Sequence, residues 1–157
     1  MIRLLEPELE RDSLEHEISE SNERCRYLKR EIVRALKRPR DESDSLQPFV
    51  QILEAYRDQL ALHFALEFAS EMFRKAIERA PRLYPKLGSV LTEQENLYSE
   101  FCEIAELLFR YADLGVQRIP RAVIHRWKQF DLRLRRHDIA ACELIYDAYF
   151  VDIGGGD

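Results

Sequence analysis

Hydrophobic residues recur at intervals of three, four and seven along four segments of this chain. This spacing places them on one face of an amphipathic α-helix. The segments cover approximately 7–38, 44–80, 86–113 and 120–150. No alternating pattern typical of a β-strand competes with them, so the sequence predicts an all-helical protein.

Short polar or proline-containing stretches separate the four segments. The stretch 37–45 divides the first two, and Asp44 or Ser45 is the predicted N-cap of the second helix. Gly115 is the predicted C-terminal cap of the third helix. Pro120 suits the first position of the fourth helix.

Four helices of similar length with short connections predict an antiparallel four-helix bundle in up-down-up-down order. A length of 157 residues suits one domain. A hydrophobic content of 46% and a charged content of 34% supply a core and solvated faces. We expect the bundle to span 1–150 and a flexible, glycine-rich tail to occupy 151–157.

Net charge and hydropathy indicate which partners are expected, and cysteine spacing indicates the redox state of the thiols. The net charge of −5 argues against a nucleic-acid partner. No apolar run approaches the roughly 20 residues that a membrane span needs, and the acidic N-terminal residues lack a signal-peptide pattern. Cys25, Cys102 and Cys142 are far apart and form no CxxC pair. We therefore expect reduced thiols in a cytoplasmic protein.

Four polar residues lie in phase with the apolar stripes. His63 and Glu67 share a stripe on the second helix, Gln94 lies on that of the third, and His137 on that of the fourth. A core-facing carboxylate is rare unless it is paired or bound to a metal. These four positions are the candidate functional residues.

Two interpretations of these residues compete. His63, Glu67 and His137 would supply two imidazoles and one carboxylate, the ligand set of many non-haem iron sites. Alternatively, Gln94 or His137 satisfies Glu67 in a hydrogen-bonded core cluster, as networks explain most buried polar groups. From pattern alone, the second interpretation is favoured.

Further polar residues lie near these stripes or away from them. Tyr56 and Tyr98 lie within two turns on the same faces and are candidates to assist the site. His16 and His125 are out of phase with their stripes, so we expect them at the surface.

The segment 63–101, HFALEFASEMFRKAIERAPRLYPKLGSVLTEQENLYSEF, resembles bacterial hemerythrin-like domains. In that family a His-Phe-x-x-Glu helix is followed by a proline-containing turn and a helix carrying Gln-His, where this chain has Glu93-Gln94. The C-terminal segment 135–157, RRHDIAACELIYDAYFVDIGGGD, is similar to the same group. The resemblance covers roughly two thirds of the chain. It implies a four-helix bundle with a non-haem di-iron centre for oxygen binding, sensing or iron handling.

The ligand set implied by this resemblance is incomplete. His63 and Glu67 match the second-helix ligands, and His137 matches the fourth-helix histidine. Gln94 replaces the third-helix histidine, and Ala141 replaces the acid one turn after His137. A neutral amide binds Fe or Zn weakly and alanine cannot bind either ion, which argues against a full di-iron centre.

The first helix offers no clear ligand. His16 could match the family's first-helix histidine, but its phase is wrong for an inward ligand. Glu17 or Ser21 fits the inward stripe better.

Three functions are compatible with these residues. The preferred one is a degenerate, metal-free bundle that acts as a regulatory or interaction module. The alternative is a bundle in which His63, Glu67 and His137 hold one Fe or Zn ion, assisted by Gln94 or Glu17. An oxygen-dependent enzyme is the third, and no substrate-pocket motif supports it. We therefore assign no catalytic residue, and the expected cofactor is none or a single metal ion.

Another protein or a second copy of this chain is the expected partner. Trp127 lies near the edge of its stripe, which would allow a dimer formed through the fourth helix.

Overall fold

The computed structural model describes the backbone of residues 6–38, 41 and 44–151. Within these residues every regular element is helical, which confirms the all-α prediction. The predicted tail beyond Val151 lies outside the described residues. The elements in chain order are α1 (Glu6–Lys37), α2 (Gln47–Ala69), α3 (Glu71–Arg79), a 3₁₀ turn (Pro81–Leu83), α4 (Tyr84–Asp113), α5 (Arg121–Tyr146) and a π-helical turn (Asp147–Val151).

The predicted second helix is wrong in one respect, because Ser70 divides it into α2 and α3. Ser70 has the extended backbone angles φ −60° and ψ 131°. Its hydroxyl donates to the carbonyl of Glu67 at 2.9 Å and accepts from the N–H of Phe73 at 3.3 Å. One side chain thus bonds the end of α2 and the start of α3. Serine competes with helical backbone bonding in this way, and hydrophobic spacing does not reveal it.

The C-terminal cap predicted at Gly115 is found, whereas the predicted N-cap of α2 is wrong, because Leu46 occupies that position and makes no side-chain cap bond. The Ser45 hydroxyl accepts from the N–H of Gln47 at 3.1 Å, at the start of α2. Gly115 has φ +74° and follows α4. Its N–H bonds the carbonyl of Ala112, and the N–H of Val116 bonds that of Tyr111, both at 3.0 Å. This pair of bonds is a Schellman motif, which favours glycine at the left-handed position.

The long helices pack in a defined order. α1 contacts α2, α2 contacts α4, and α4 contacts α5. An ion pair of 2.7 Å between Lys29 and Asp131 joins α5 to α1. One hydrophobic cluster contains buried residues of α1, α2, α4 and α5. α3 packs against α2, α5 and the two short turns.

An aromatic cluster occupies the middle of this core. The Tyr56 ring meets Phe101 edge-on with centroids 4.9 Å apart, and it contacts Trp127 and Phe130 at 6.0 and 6.5 Å. Trp127 is only 4% exposed. The suggestion that Trp127 supports a dimer is therefore wrong, because its ring is part of the core.

The length and hydropathy of each described helix determine whether it could cross a membrane. No described helix combines the length and the apolar character that crossing a membrane requires.

Replacing Gly88 on α4 and Gly115 at its C-terminal cap by alanine should change the stability of the protein in opposite directions. At Gly115 a Cβ strains the left-handed backbone, so Gly115→Ala should lower the unfolding free energy by about 1 kcal/mol. At the exposed helical Gly88 a Cβ meets nothing within 4 Å. Gly88→Ala should therefore raise it by roughly 0.5–1 kcal/mol. Urea unfolding of both variants measures the two effects, and equal signs would contradict the assigned backbone angles.

Candidate functional site

Glu67 lies at the centre of a polar cluster that also includes His63, Gln94 and His137. Its carboxylate oxygen Oε2 accepts a hydrogen bond of 2.8 Å from Nε2 of Gln94, across the α2–α4 contact. The Glu67 side chain is 20% exposed, while the Gln94 residue is 5% exposed. The amide of Gln94 therefore supplies the donor that a partly buried carboxylate needs.

His137 approaches the same carboxylate without hydrogen-bonding to it. Its Nε2 atom lies 3.7 Å from Oε2 of Glu67, beyond normal hydrogen-bond length. The side chain is 1% exposed, and neither ring nitrogen has a hydrogen-bond partner among the described residues. Phe64 packs edge-on against the imidazole, with ring centroids 5.5 Å apart. Buried imidazole nitrogens without partners are unusual and make His137 the least satisfied residue of the cluster.

His63 and Glu67 open onto a cavity between α1, α2 and α5. Its volume is about 470 Å³. Its polar and ionisable lining residues are Asn22, Cys25, Arg26, Lys29, Tyr56, His63, Glu67, Asp138 and Cys142. His137 instead lines a second cavity of about 540 Å³ between α4 and α5. The polar cluster thus separates two cavities.

Asp138 is a residue of this site that the sequence did not reveal. Burial raises the pKa of its carboxyl, the nearby His137 and His63 lower it, and Glu67 raises it further. Asp138 follows His137 directly and therefore points about 100° away from the α5 stripe. Hydrophobic spacing counts Asp138 as a surface residue, and it is exposed, but the packing of α1 and α2 beside α5 places it on the lining of the cavity.

The two candidate tyrosines lie in different environments. Tyr56 lines the cavity beside His63, and burial raises the pKa of its phenol well above the usual range. A hydrogen bond with Cys102 raises the pKa of Tyr98, which also interacts with Arg57. Of the two tyrosines, Tyr56 shares the cavity with the cluster.

On α1, Ser21 is buried and Glu17 is exposed. The Ser21 hydroxyl accepts a hydrogen bond of 2.9 Å from Nε2 of Gln59. The inward position therefore belongs to Ser21, and the alternative placement of Glu17 is wrong. His16 is exposed and pairs with Glu20 at 3.3 Å.

The other predicted surface histidine, His125, is exposed on α5, which agrees with its phase. Neither His16 nor His125 belongs to the polar cluster.

Ala141 is 2% exposed and belongs to a small apolar cluster where α3 covers α5. Its neighbours in this cluster include Phe73, Ala76 and Leu144. The position at which the hemerythrin resemblance calls for an acid is therefore an apolar packing position.

These residues do not fit a di-iron centre. Gln94 directs a donor N–H at Glu67, Ala141 packs against apolar neighbours, and His16 is exposed. Among the side chains that the structure describes, no three or more His, Cys, Asp or Glu residues are arranged to hold a metal. A single ion held by His63, Glu67 and His137 stays a prediction.

Comparisons of the chain with models of known families, with curated proteins and with solved structures found no match. The functional argument therefore rests on the residues of the site.

Removing the Gln94 donor should destabilise the protein. Gln94→Leu leaves the Glu67 carboxylate without its donor, so the unfolding free energy should fall by about 1–3 kcal/mol. The double variant Glu67→Leu/Gln94→Leu should lose less than the sum of the single losses, because no polar partner is left unpaired. Urea unfolding measures this coupling, and the exposed Gln51→Leu serves as control. Strictly additive losses would contradict the hydrogen bond.

Two cysteines of the cavity should differ in reactivity. Burial raises the pKa of Cys25 to about 11, and its thiol donates to the carbonyl of Gln59. Cys142 is exposed. Because the thiolate is the nucleophile, iodoacetamide at about pH 8 should alkylate Cys142 well before Cys25. Peptide mass spectrometry reads the order, and urea should abolish the difference. Equal rates in the folded protein would refute the burial of Cys25.

Proposed function

We propose that this chain is a hemerythrin-like, antiparallel four-helix bundle whose metal centre has degenerated. It acts as a non-catalytic regulatory or interaction module. Its polar cluster is then a structural remnant that holds α2, α4 and α5 in register.

Contacts between α4 and α5 support the antiparallel arrangement. Glu103, late in α4, pairs with Arg126, early in α5, at 3.7 Å. Lys86, early in α4, pairs at 3.2 Å with Asp147, just after α5. As residue number rises along α4, the residue number of the partner on α5 falls, which is what antiparallel packing requires.

Contacts between α2 and α4 follow the same order. Tyr56 meets Phe101, and Glu67 meets Gln94, one to two turns earlier on α4. Between α2 and α5 the residue numbers of the contacting partners rise together, since Tyr56 meets Trp127 and Glu67 approaches His137. Diagonally opposed helices of an up-down-up-down bundle run parallel, so these contacts favour that topology.

The single observation that carries the proposed loss of metal is the hydrogen bond between Gln94 and Glu67. A metal ligand must direct lone pairs at the ion, whereas the Gln94 amide directs an N–H at the carboxylate. The amide occupies the place of the third-helix histidine in the family pattern. A neutral donor therefore satisfies Glu67 where a cation would otherwise be needed.

A specific observation keeps a single Fe or Zn ion as the second candidate. Both buried ring nitrogens of His137 lack hydrogen-bond partners among the described residues, and Nε2 lies 3.7 Å from Glu67. A bound ion would satisfy that imidazole if side chains moved to meet it. His63, Glu67 and His137 would then be its ligands.

Metal analysis of protein purified without chelator should separate the two candidates. We expect substoichiometric Fe and Zn and no change in melting when Fe(II) or Zn(II) is added. An ion at a hundred times its Kd for a genuine site would raise stability by about 2.7 kcal/mol.

Three variants and one control complete this experiment. Stoichiometric metal that disappears in Glu67→Ala and His137→Ala, but persists in the exposed-site control His125→Ala, would overturn the metal-free proposal. His63→Ala then tests the third ligand of the alternative.

A further inference from the structure

The outward face of α5 carries a line of large apolar side chains. Leu132, Ile139 and Tyr146 are 51%, 59% and 59% exposed. They are spaced by seven residues, and we call them the outer stripe. At about 100° per residue, Ile139 lies opposite the buried Phe130. The outer stripe therefore faces away from the protein's own core.

The outer stripe is extended at its C-terminal end. The ring of Phe150, which is 64% exposed, stacks on Tyr146 with centroids 4.8 Å apart. The other exposed large apolar side chains lie more than two turns apart or on different faces of their helices; they are Tyr27, Val33, Leu62, Tyr84, Phe109 and Leu114. Members of the outer stripe lie two turns apart, with polar residues such as Arg136 and Glu143 on the turns between them. Exposed apolar side chains aligned on one helix face are a feature of interaction surfaces.

On α5, basic residues predominate before the middle of the outer stripe and acidic residues follow it. The half before Ile139 is rich in Arg and Lys, whereas the rest of α5 after Arg136 contains Asp138 and Glu143 but no Lys or Arg. Arg136 and Glu143 lie about 20° apart around the helix axis, on the flank that lines the α4–α5 cavity. Neither has an ion-pair partner among the described residues.

We propose that two copies of this chain dimerise through α5, packed antiparallel about a two-fold axis at Ile139. Ile139 then meets its own counterpart, and Leu132 meets Tyr146 of the partner subunit. On the flank, Arg136 meets Glu143 of the partner subunit, and the symmetry makes this ion pair twice. The occupant is a second copy because the charge pattern is complementary to itself under this rotation.

This interface does not depend on whether the polar cluster holds a metal. His137 and Ile139 point to opposite sides of α5, so the dimer and the metal-free function fail or stand separately.

Sedimentation equilibrium over the micromolar range tests the interface. The wild-type chain should dimerise, and Ile139→Glu should weaken dimerisation by at least about a hundredfold, because the buried contact is lost in both copies. Leu62→Glu, an exposed leucine on α2, should leave dimerisation unchanged. Far-UV circular dichroism spectra equal to that of the wild type verify that both variants fold. A wild-type monomer throughout this range, or an Ile139→Glu variant that dimerises normally, would overturn the proposal.

Charge reversal tests the antiparallel register. Arg136→Glu and Glu143→Arg should each weaken the dimer, because each places like charges together twice. The double variant Arg136→Glu/Glu143→Arg restores both opposite-charge pairs and should recover most of the wild-type affinity. Failure of the double variant to recover affinity would reject this register.

Discussion

A partly buried carboxylate imposes the constraint on which this structure depends. Glu67 faces inward from α2, and a carboxylate removed from water needs a charge or hydrogen-bond donor. Gln94 supplies that donor from α4 at 2.8 Å. Since the amide reaches one oxygen from one helix position, the bond specifies both the separation and the register of α2 and α4. His137 then packs beside the pair without becoming its donor.

The polar cluster also lies at a boundary between two kinds of packing. On one side, Tyr56 and its aromatic neighbours fill the core between the long helices. On the other side, α3 folds back so that Phe73 and Ala141 pack in a separate apolar cluster. Ser70 permits this by ending α2 one turn after Glu67 and bonding its carbonyl. The predicted second helix therefore breaks three residues after Glu67, and the Ser70 side chain bonds the carbonyl of that residue.

Periodicity predicts which face of a helix is buried, but it does not reveal contacts between helices or helix breaks caused by local side-chain hydrogen bonds. The inward phase of Gln94 and His137 follows from their own stripes, and both are buried. Neither Asp138 nor Ser70 carries such a signal. Asp138 lines the cavity because α1 and α2 pack beside α5. Ser70 ends α2 through local side-chain hydrogen bonds. The Glu67–Gln94 bond was foreseen only as one of two alternatives, since spacing gives facing positions but not which partner donates.

α5 carries apolar residues on two opposite faces. Its inner face carries His137 among apolar core residues, and its outer face carries Ile139 among exposed ones. A helix with a single buried face normally shows one apolar stripe and a polar opposite side. On α5 the outer face combines its apolar residues with charged ones such as Lys128, which lies about 20° from Ile139. Arg133 pairs with Glu93, and Arg135 pairs with Asp131. These pairs account for the charges that face α4 or their own helix, and they leave Arg136 and Glu143 without assigned partners. The exposed outer stripe, flanked by opposite charges at Arg136 and Glu143 that are complementary to themselves under a two-fold rotation, is the basis of the proposed symmetric contact.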